Sequence, residues 1–448
     1  MPAIATSTAR RDRSIRLAVG TSFVSKAGTI LLQLVSIPLA ARVLGREGLG
    51  LYMTVSLTLS TMALLEIGVG PALAHGLSKA RAEGDEGRQR ELGSTSFFLM
   101  AAMALLAGAC GAAVLAWAPL AGFFGSGYAG NEAALRAGLW VGLGIFALLF
   151  VLNLTERARE GHLEVAANNL WGAAGNLTAA AVVAAGIWFV PEVWFLVLAV
   201  HGSMVAAKLC NTAALWRRHP AMRPSPRYFR PRLARHLFAD GLSYSTCFMV
   251  TGVVEYNLCS WMVGRAGGGP GAVALYGTFV SLTVMQLGFV IMLSTPTWPA
   301  VAEALARQDV AWARKAARRL YVYGMGFAAC SALGMTVLGP WALEVWLGKQ
   351  FAGTSRWEMG CYSVYFAAHV WRHLNHAMMV GTGQVRALAG VQLLESVVMA
   401  GVIWLALEKG SLETTLLAMG ATIVSLTGWI LPRRVAAVLK NTTKGEAG

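Results

Sequence analysis

Charge is scarce in this chain. Only 13% of its 448 residues are Asp, Glu, Lys or Arg, against about a quarter in an ordinary soluble domain, too few to cover a water-exposed globule of this size. Cysteine carries no evident chemistry. The six cysteines (Cys110, Cys210, Cys247, Cys259, Cys330 and Cys361) are scattered through apolar stretches with no C-x-x-C pair, which excludes a disulfide framework and a zinc set. The signatures G-x-x-x-x-G-K-S/T, G-x-S-x-G and H-E-x-x-H do not occur, so ATP hydrolysis, α/β-hydrolase chemistry and zinc proteolysis lack a sequence basis. Outer loops are short, the longest falling at 118–134 and 341–357. Little chain is left for an extramembrane catalytic platform, and no enzyme is expected.

What the chain has instead is apolar length. The AVILMFWYC set makes up 56% of it, and mean hydropathy is +0.56. A spanning helix needs about 20 largely apolar residues. Twelve segments meet that need: 17–41, 49–74, 93–117, 135–155, 165–190, 193–215, 236–263, 272–298, 320–340, 358–380, 386–408 and 412–431. Gly, Ser and Thr are frequent inside them, as where helices pack closely in lipid. Trp117, Trp188, Trp194, Trp341, Trp346 and Trp429 stand near segment ends, where an interfacial belt belongs. The expected fold class is an all-α polytopic membrane protein of about 12 transmembrane helices.

Basic residues alternate from loop to loop. Arg10, Arg11, Arg13 and Arg16, then Lys79, Arg81, Arg88 and Arg90, Arg157 and Arg159, and the seven arginines from Arg217 to Arg235 lie on one side. Arg307, Arg314, Lys315, Arg318 and Arg319, then Arg386, Arg433, Arg434, Lys440 and Lys444 continue it. The intervening loops hold far fewer. Basic loops stay cytoplasmic, so the reading is a multi-pass protein of the plasma (inner) membrane with both termini inside. The net charge of +15 then belongs to topology and to anionic lipid headgroups, and nucleic acid is not expected as a partner. The apolar run after the N-terminal arginines is too long for a signal-peptide core and lacks a clear A-x-A site, so it is read as a retained first helix.

The chain also repeats. Leu51-Tyr52-Met53-Thr54 returns as Leu275-Tyr276-Gly277-Thr278, and Ala80, Asp85 and Arg90 meet Ala304, Asp309 and Arg314 at the same offset. Two pseudo-repeated six-helix bundles follow, over 1–216 and 236–448, joined by a basic, Pro-rich cytoplasmic linker at 217–235 expected to be a solvated hinge.

A charged side chain near the bilayer centre costs about 2.5–3.5 kcal/mol on insertion scales, so each one needs a reason. Ser22, Lys26, Thr29, Gln33 and Ser36 step along one face of the first helix. This is either a wet seam with Lys26 facing an anion, or interhelical hydrogen bonding with a snorkelling lysine. In the tenth segment Tyr362, Tyr365, His369, Arg372 and His376 do the same. The planar fork of Arg372 suits phosphate or carboxylate, while packing without a ligand is the alternative. Lys208 sits two turns from a helix end and can snorkel or join the cavity cations. The intramembrane acids Glu66, Glu255 and Glu395 either pair with these cations or bind a coupling Na⁺ or H⁺. No metal site and no other cofactor are expected.

The stretch 41–85, ARVLGREGLGLYMTVSLTLSTMALLEIGVGPALAHGLSKARAEGD, resembles the first two helices of polysaccharide and oligosaccharide-lipid flippases, the O-antigen (Wzx-type) exporters of the MOP superfamily. The features shared are Leu44-Gly45, Gly48-Leu49-Gly50-x-Tyr52 and Glu66-Ile67-Gly68. The family often has Asp where this chain has Glu66. An acid common in its seventh helix has no clean match here, since Asn257 and Cys259 stand there and Glu255 lies a turn earlier. The resemblance implies two bundles around a central cavity, alternating access, and a polyprenyl-diphosphate-linked glycan as cargo, with polysaccharide polymerase machinery as a further partner. Lys26, Arg372 and Lys208 are then expected to attract the diphosphate or acidic sugars. A MATE-like Na⁺- or H⁺-coupled antiporter of drugs or metabolites is the alternative.

Overall fold

The computed structural model describes residues 2–62, 69–238 and 252–441. These residues are helical with no strand among them. The helices are α1 (Pro2–Met62), α2 (Val69–Ala82), α3 (Glu86–Trp117), α4 (Leu120–Phe124), α5 (Glu132–Gly161), α6 (Val165–Gly186) and α7 (Val193–Arg218). They continue as α8 (Cys259–Val263), α9 (Gly269–Ala306), α10 (Val310–Leu347), α11 (Arg356–Gly381), α12 (Val385–Lys409), α13 (Leu412–Ser425) and α14 (Thr427–Asn441). A π turn at Leu198–Gly202 interrupts α7, and two more, Val253–Leu258 and Gly264–Gly268, flank α8. The all-α fold class expected from the sequence holds.

Eight stretches of the described residues are long and apolar enough to cross a membrane, and the chain is a multi-pass membrane protein. One of the eight, Gly20–Met62, has 43 residues. At 1.5 Å per residue it would run roughly 64 Å, about twice the hydrocarbon thickness. It breaks at Gly45, whose φ of 75° and ψ of 179° suit a residue without a Cβ, so it supplies the expected span 17–41 and the first part of 49–74. Helices α6 and α11 have the length but are more polar, because their polar side chains face neighbouring helices instead of lipid. The expected spans 49–74 and 236–263 run through 63–68 and 239–251, which lie outside the described residues.

Backbone conformation repeats more faithfully than sequence does. Positive φ occurs at Gly45 and Gly269, at Gly84 and Gln308, at Gly125 and Gly348, and at Leu163 and Gly383, each pair marking corresponding corners of the two halves. Asp85 caps α3 and Asp309 caps α10 through the same acceptance of a backbone N–H three residues on. Two helix crossings correspond as well. A Cβ on Gly161 would lie 2.9 Å from the Ala74 carbonyl oxygen, and one on Gly381 would lie 2.9 Å from that of Trp298.

The chain divides into two compact units, Met1–Thr246 and Cys247–Gly448. In the first, α5 is the hub, packing on α1, α2, α3 and α7. Helix α1 lies along α6, where Gly28 admits the Ala173 backbone and Asn169 and Asn176 donate to Thr21 and Thr29 at 3.1 and 2.9 Å. The basic segment expected as a free hinge folds onto α3 for much of its length. Ser225 N donates to Ser94 Oγ (3.1 Å), Arg230 N to Thr95 Oγ1 (3.1 Å), and Arg230 Nε to Glu91 (2.9 Å). Phe229 meets the Phe98 ring edge-on. Backbone groups freed by the prolines find partners on α3, and so the segment is a strap of the first unit.

In the second unit α11 takes the place of α5 as hub, packing on α9, α10, α13 and α14, and most of its residues are buried. Here the halves diverge. The middle of α5, 141–152, is apolar throughout, whereas the middle of α11 carries Tyr365, His369 and Arg372, all buried.

Candidate functional site

Arg372 is the centre of a buried ionic cluster in the second unit. It stands on α11, and its Nη1 donates to Glu395 Oε1 of α12 at 2.7 Å while Nη2 donates to Glu255 Oε2 at 2.8 Å. Nη1 also donates to the other oxygen of Glu255, completing a bidentate fork. Glu255 and Glu395 are wholly buried and Arg372 is 6% exposed. Glu255 sits on the π turn before α8. Tyr276, from α9, donates to its backbone carbonyl, and Tyr365 donates to its Oε2 at 3.0 Å. Thr427, at the start of α14, donates to Glu395 Oε2. Four helices and a π turn thus meet at one charge cluster.

The charges do not balance. Two carboxylates face one guanidinium, leaving a formal charge of −1 in a place where burying an unpaired ion costs several kcal/mol. His369, one turn from Arg372, touches both the guanidinium and a carboxylate. Its Nδ1 lies 2.9 Å from Arg372 Nη2 and 3.1 Å from Glu255 Oε2. One ring nitrogen cannot accept from the arginine and donate to the carboxylate at once, so protonation decides which contact is made. Its Nε2 lies 3.3 Å from Tyr256 Oη. One proton on either carboxylate would balance the formal charge of the cluster.

These positions correct two expectations. Arg372 was expected to offer its charge to an external anion, but both sides of its fork are taken by carboxylates of its own chain. Lys208 is likewise paired, its Nζ donating to Glu156 on α5. Lys26 differs. It is half-exposed on α1 and makes no ion pair or hydrogen bond among the described residues. Along its face, Ser22 is also half-exposed, Thr29 accepts from Asn176, and Gln33 keeps a buried Oε1 with no partner among the described residues. His376, the next turn along, is tied to α12, its Nδ1 accepting from Gln392 Nε2 at 3.0 Å. Glu66 lies outside the described residues. Of the expected site residues, the structure joins Tyr365, His369, Arg372, Glu255 and Glu395. Thr427, Tyr276 and Tyr256 were missed, because no spacing links them to α11. Among the described residues no group of three His, Cys, Asp or Glu is arranged to hold a metal ion.

A second polar cluster closes the α5–α6 corner of the first unit. Glu164 accepts from Arg159 (2.6 Å), Arg218 (3.0 Å) and His219 (3.0 Å). The His162 ring stacks on His219 with centroids 4.0 Å apart, and Arg81 donates to the His162 carbonyl at 2.8 Å. Burial, with His219 beside it, pushes the His162 imidazole down to about 4. Burial alone would raise the Glu164 carboxyl, but His219, Arg218 and Arg159 hold it below the usual carboxylate range.

Known proteins bear on this architecture in three ways. No curated protein matches the sequence. Among solved structures, the chain is similar to an inward-facing multidrug resistance MATE family transporter of the MOP superfamily, with a TM-score of 0.75 at 14% identity over 94% of this chain and 99% of that one. It is also similar to a Pyrococcus furiosus MOP superfamily transporter described as having a binding pocket of reverse polarity, with a TM-score of 0.65 at 14% identity over 96% and 97%. At such identities the likeness speaks for the fold. In sequence, residues 18–305 match the family described as polysaccharide biosynthesis protein. With nearly two thirds of its length covered by that match, this chain belongs to the polysaccharide biosynthesis protein family and has the fold of the MATE and MOP superfamily transporters.

Proposed function

We propose that the protein is a flippase that moves a polyprenyl-diphosphate-linked oligosaccharide across the plasma membrane by alternating access, with both termini cytoplasmic. It would work beside polysaccharide polymerase machinery, in a membrane whose anionic lipids hold its basic loops. The observation that carries this reading is Lys26, a cation on an apolar helix with no carboxylate partner among the described residues, whereas Lys208 and Arg372 are paired. In a family whose work is polysaccharide biosynthesis, the counter-anion it fits is the diphosphate or an acidic sugar of the cargo. A charge-assisted hydrogen bond contributes about 1.5–3 kcal/mol, so Lys26→Gln should lower surface glycan export roughly 10- to 150-fold at unchanged protein level. Lys26→Arg should retain most of it. Normal export by Lys26→Gln removes the assignment.

The cluster around Arg372 supports an ion-coupled step, and the proton over Na⁺. The guanidinium already fills the space between the two carboxylates, and Glu395 supplies the missing charge by taking a proton. In proteoliposomes, Glu395→Gln should abolish any dependence of transport on an imposed pH gradient. The same cluster is the observation that favours the second reading, a MATE-like antiporter of drugs or metabolites. Efflux of a cationic drug by the purified protein, with no transport of lipid-linked glycan, would select it.

A further inference from the structure

We infer that α7 carries a hinge at its π turn, Leu198–Gly202, about which the segment Val193–Val197 swings toward α1 and α5 while Ser203–Arg218 stays fixed. Neither Lys26 nor the Arg372 cluster takes part.

The two parts of α7 are held by different forces. After the π turn, directional ties follow one another. Lys208 pairs with Glu156 of α5, and Thr155 and Thr212 share a hydrogen bond at 2.6 Å. Arg159 Nε donates to Asn211 Oδ1 at 2.6 Å, and Asn211 Nδ2 donates to Asn168 Oδ1 of α6 at 3.3 Å. Arg218 pairs with Glu164 at 3.0 Å. Hydrogen bonds weaken steeply when bent away from line, so this row fixes the segment against α5 and α6. Before the π turn the contacts are apolar. The Phe195 ring lies over Gly186, and a Cβ on Gly138 of α5 would lie 3.3 Å from Val193 Cγ1. Apolar contact has no preferred direction, so it tolerates a sliding segment.

The π turn joins the two parts. Its i→i+5 bonding interrupts the α-helical ladder, and such interruptions are where helices bend. Its polar side chain, His201, reaches α1 through Nε2, 3.4 Å from Ser56 Oγ. Against His201 lies a cavity of about 90 Å³, lined chiefly by Leu59 of α1 and by Ile145, Leu149, Phe150 and Asn153 of α5. Native interiors hold few voids larger than a water molecule. One placed at the π turn gives His201, and the segment before it, room to move toward α1 and α5. The repeat shows where this room comes from. Counting back from the matching Gly161 and Gly381, Ile145 and Leu149 correspond to Tyr365 and His369. Where the second unit packs a tyrosine and a histidine into its ionic cluster, the first has isoleucine and leucine facing a cavity.

The test is pulsed electron–electron double resonance between nitroxide labels on the full chain in lipid nanodiscs, with the native cysteines replaced by serine. One pair, Leu170→Cys with Trp194→Cys, runs from α6 to the segment before the π turn. The other, Val182→Cys with Ala213→Cys, runs from α6 to the segment after it; all four positions are exposed or half-exposed. The first pair should give a distance distribution broader than the second by about 4 Å, the edge of a cube of the cavity's volume. Leu149→Phe, which fills the cavity from α5, should narrow the first distribution to the width of the second and leave the second unchanged. If that variant is not monodisperse, Leu59→Phe fills the cavity from α1. A first distribution no broader than the second overturns the hinge. One that stays broad in the filled variant, or a filled variant that narrows both pairs alike, overturns the cavity as the room for the swing.

Discussion

Arg372→Gln should be among the most destabilising single substitutions in the second unit. Its removal leaves Glu255 and Glu395, both wholly buried, facing one another without the intervening cation. Breaking a buried ion pair by removing one partner costs about 3–5 kcal/mol, because the other charge stays buried and unpaired. For a unit of this size each kcal/mol moves the unfolding temperature by about 2–4 °C, so a fall of about 6–20 °C is expected. Scanning fluorimetry of the purified protein in detergent, at one fixed heating rate because such unfolding is irreversible, gives the measurement. The neutral triple variant Glu255→Gln, Arg372→Met, Glu395→Gln should recover most of the loss, since buried ionic triads are replaceable by uncharged groups of similar volume. A shift below about 2 °C for Arg372→Gln would refute the reasoning, because it would mean the guanidinium is not what neutralises the carboxylates. A triple variant no better than the single one would refute it as well.

Other perturbations have calculable signs. Lys208→Gln should cost under about 1 kcal/mol, because its partner Glu156 is 37% exposed and water can solvate what the lysine leaves; a loss as large as that of Arg372→Gln would contradict this contrast. The α5–α6 corner should loosen in acid. His162 has its folded pKa depressed to about 4 against about 6.5 when unfolded, so its contribution is intact above pH 6.5 and is lost as pH falls to about 4, up to about 3 kcal/mol in all. The depressed carboxyl of Glu164 acts in the same direction at lower pH. Hydrogen exchange of residues 160–166 should rise across that window, and in His162→Asn the rise between pH 6.5 and 4.5 should largely vanish; an unchanged profile counts against the stacked pair. Gly161→Ala and Gly381→Ala should each destabilise by about 1–3 kcal/mol, since each new Cβ meets backbone oxygen at 2.9 Å, and thermal unfolding checks both.

The sequence by itself determined the class. Sparse charge and twelve apolar runs leave only helices crossing lipid, because every backbone polar group must be satisfied within its own segment there. Alternating basic loops and a half-length repeat followed from the same text, and the corner conformations at Gly45 and Gly269 and at Gly84 and Gln308 carry that repeat into the backbone. It also marked Arg372, Glu255 and Glu395 as residues needing a reason. Which reason applied was decided by tertiary structure alone. Helical spacing reports which residues share a face of one helix, but not what the facing helix presents, so Arg372 read as a cation awaiting an anion when its anions lay far away in sequence, on Glu255 and Glu395. The strap was illegible for a related reason. Alternating proline and arginine look like a solvated hinge until the hydroxyls of Ser94 and Thr95 are seen to take the backbone N–H groups of Ser225 and Arg230. Partnership between distant segments is a property of the packed chain, and neither composition nor periodicity encodes it.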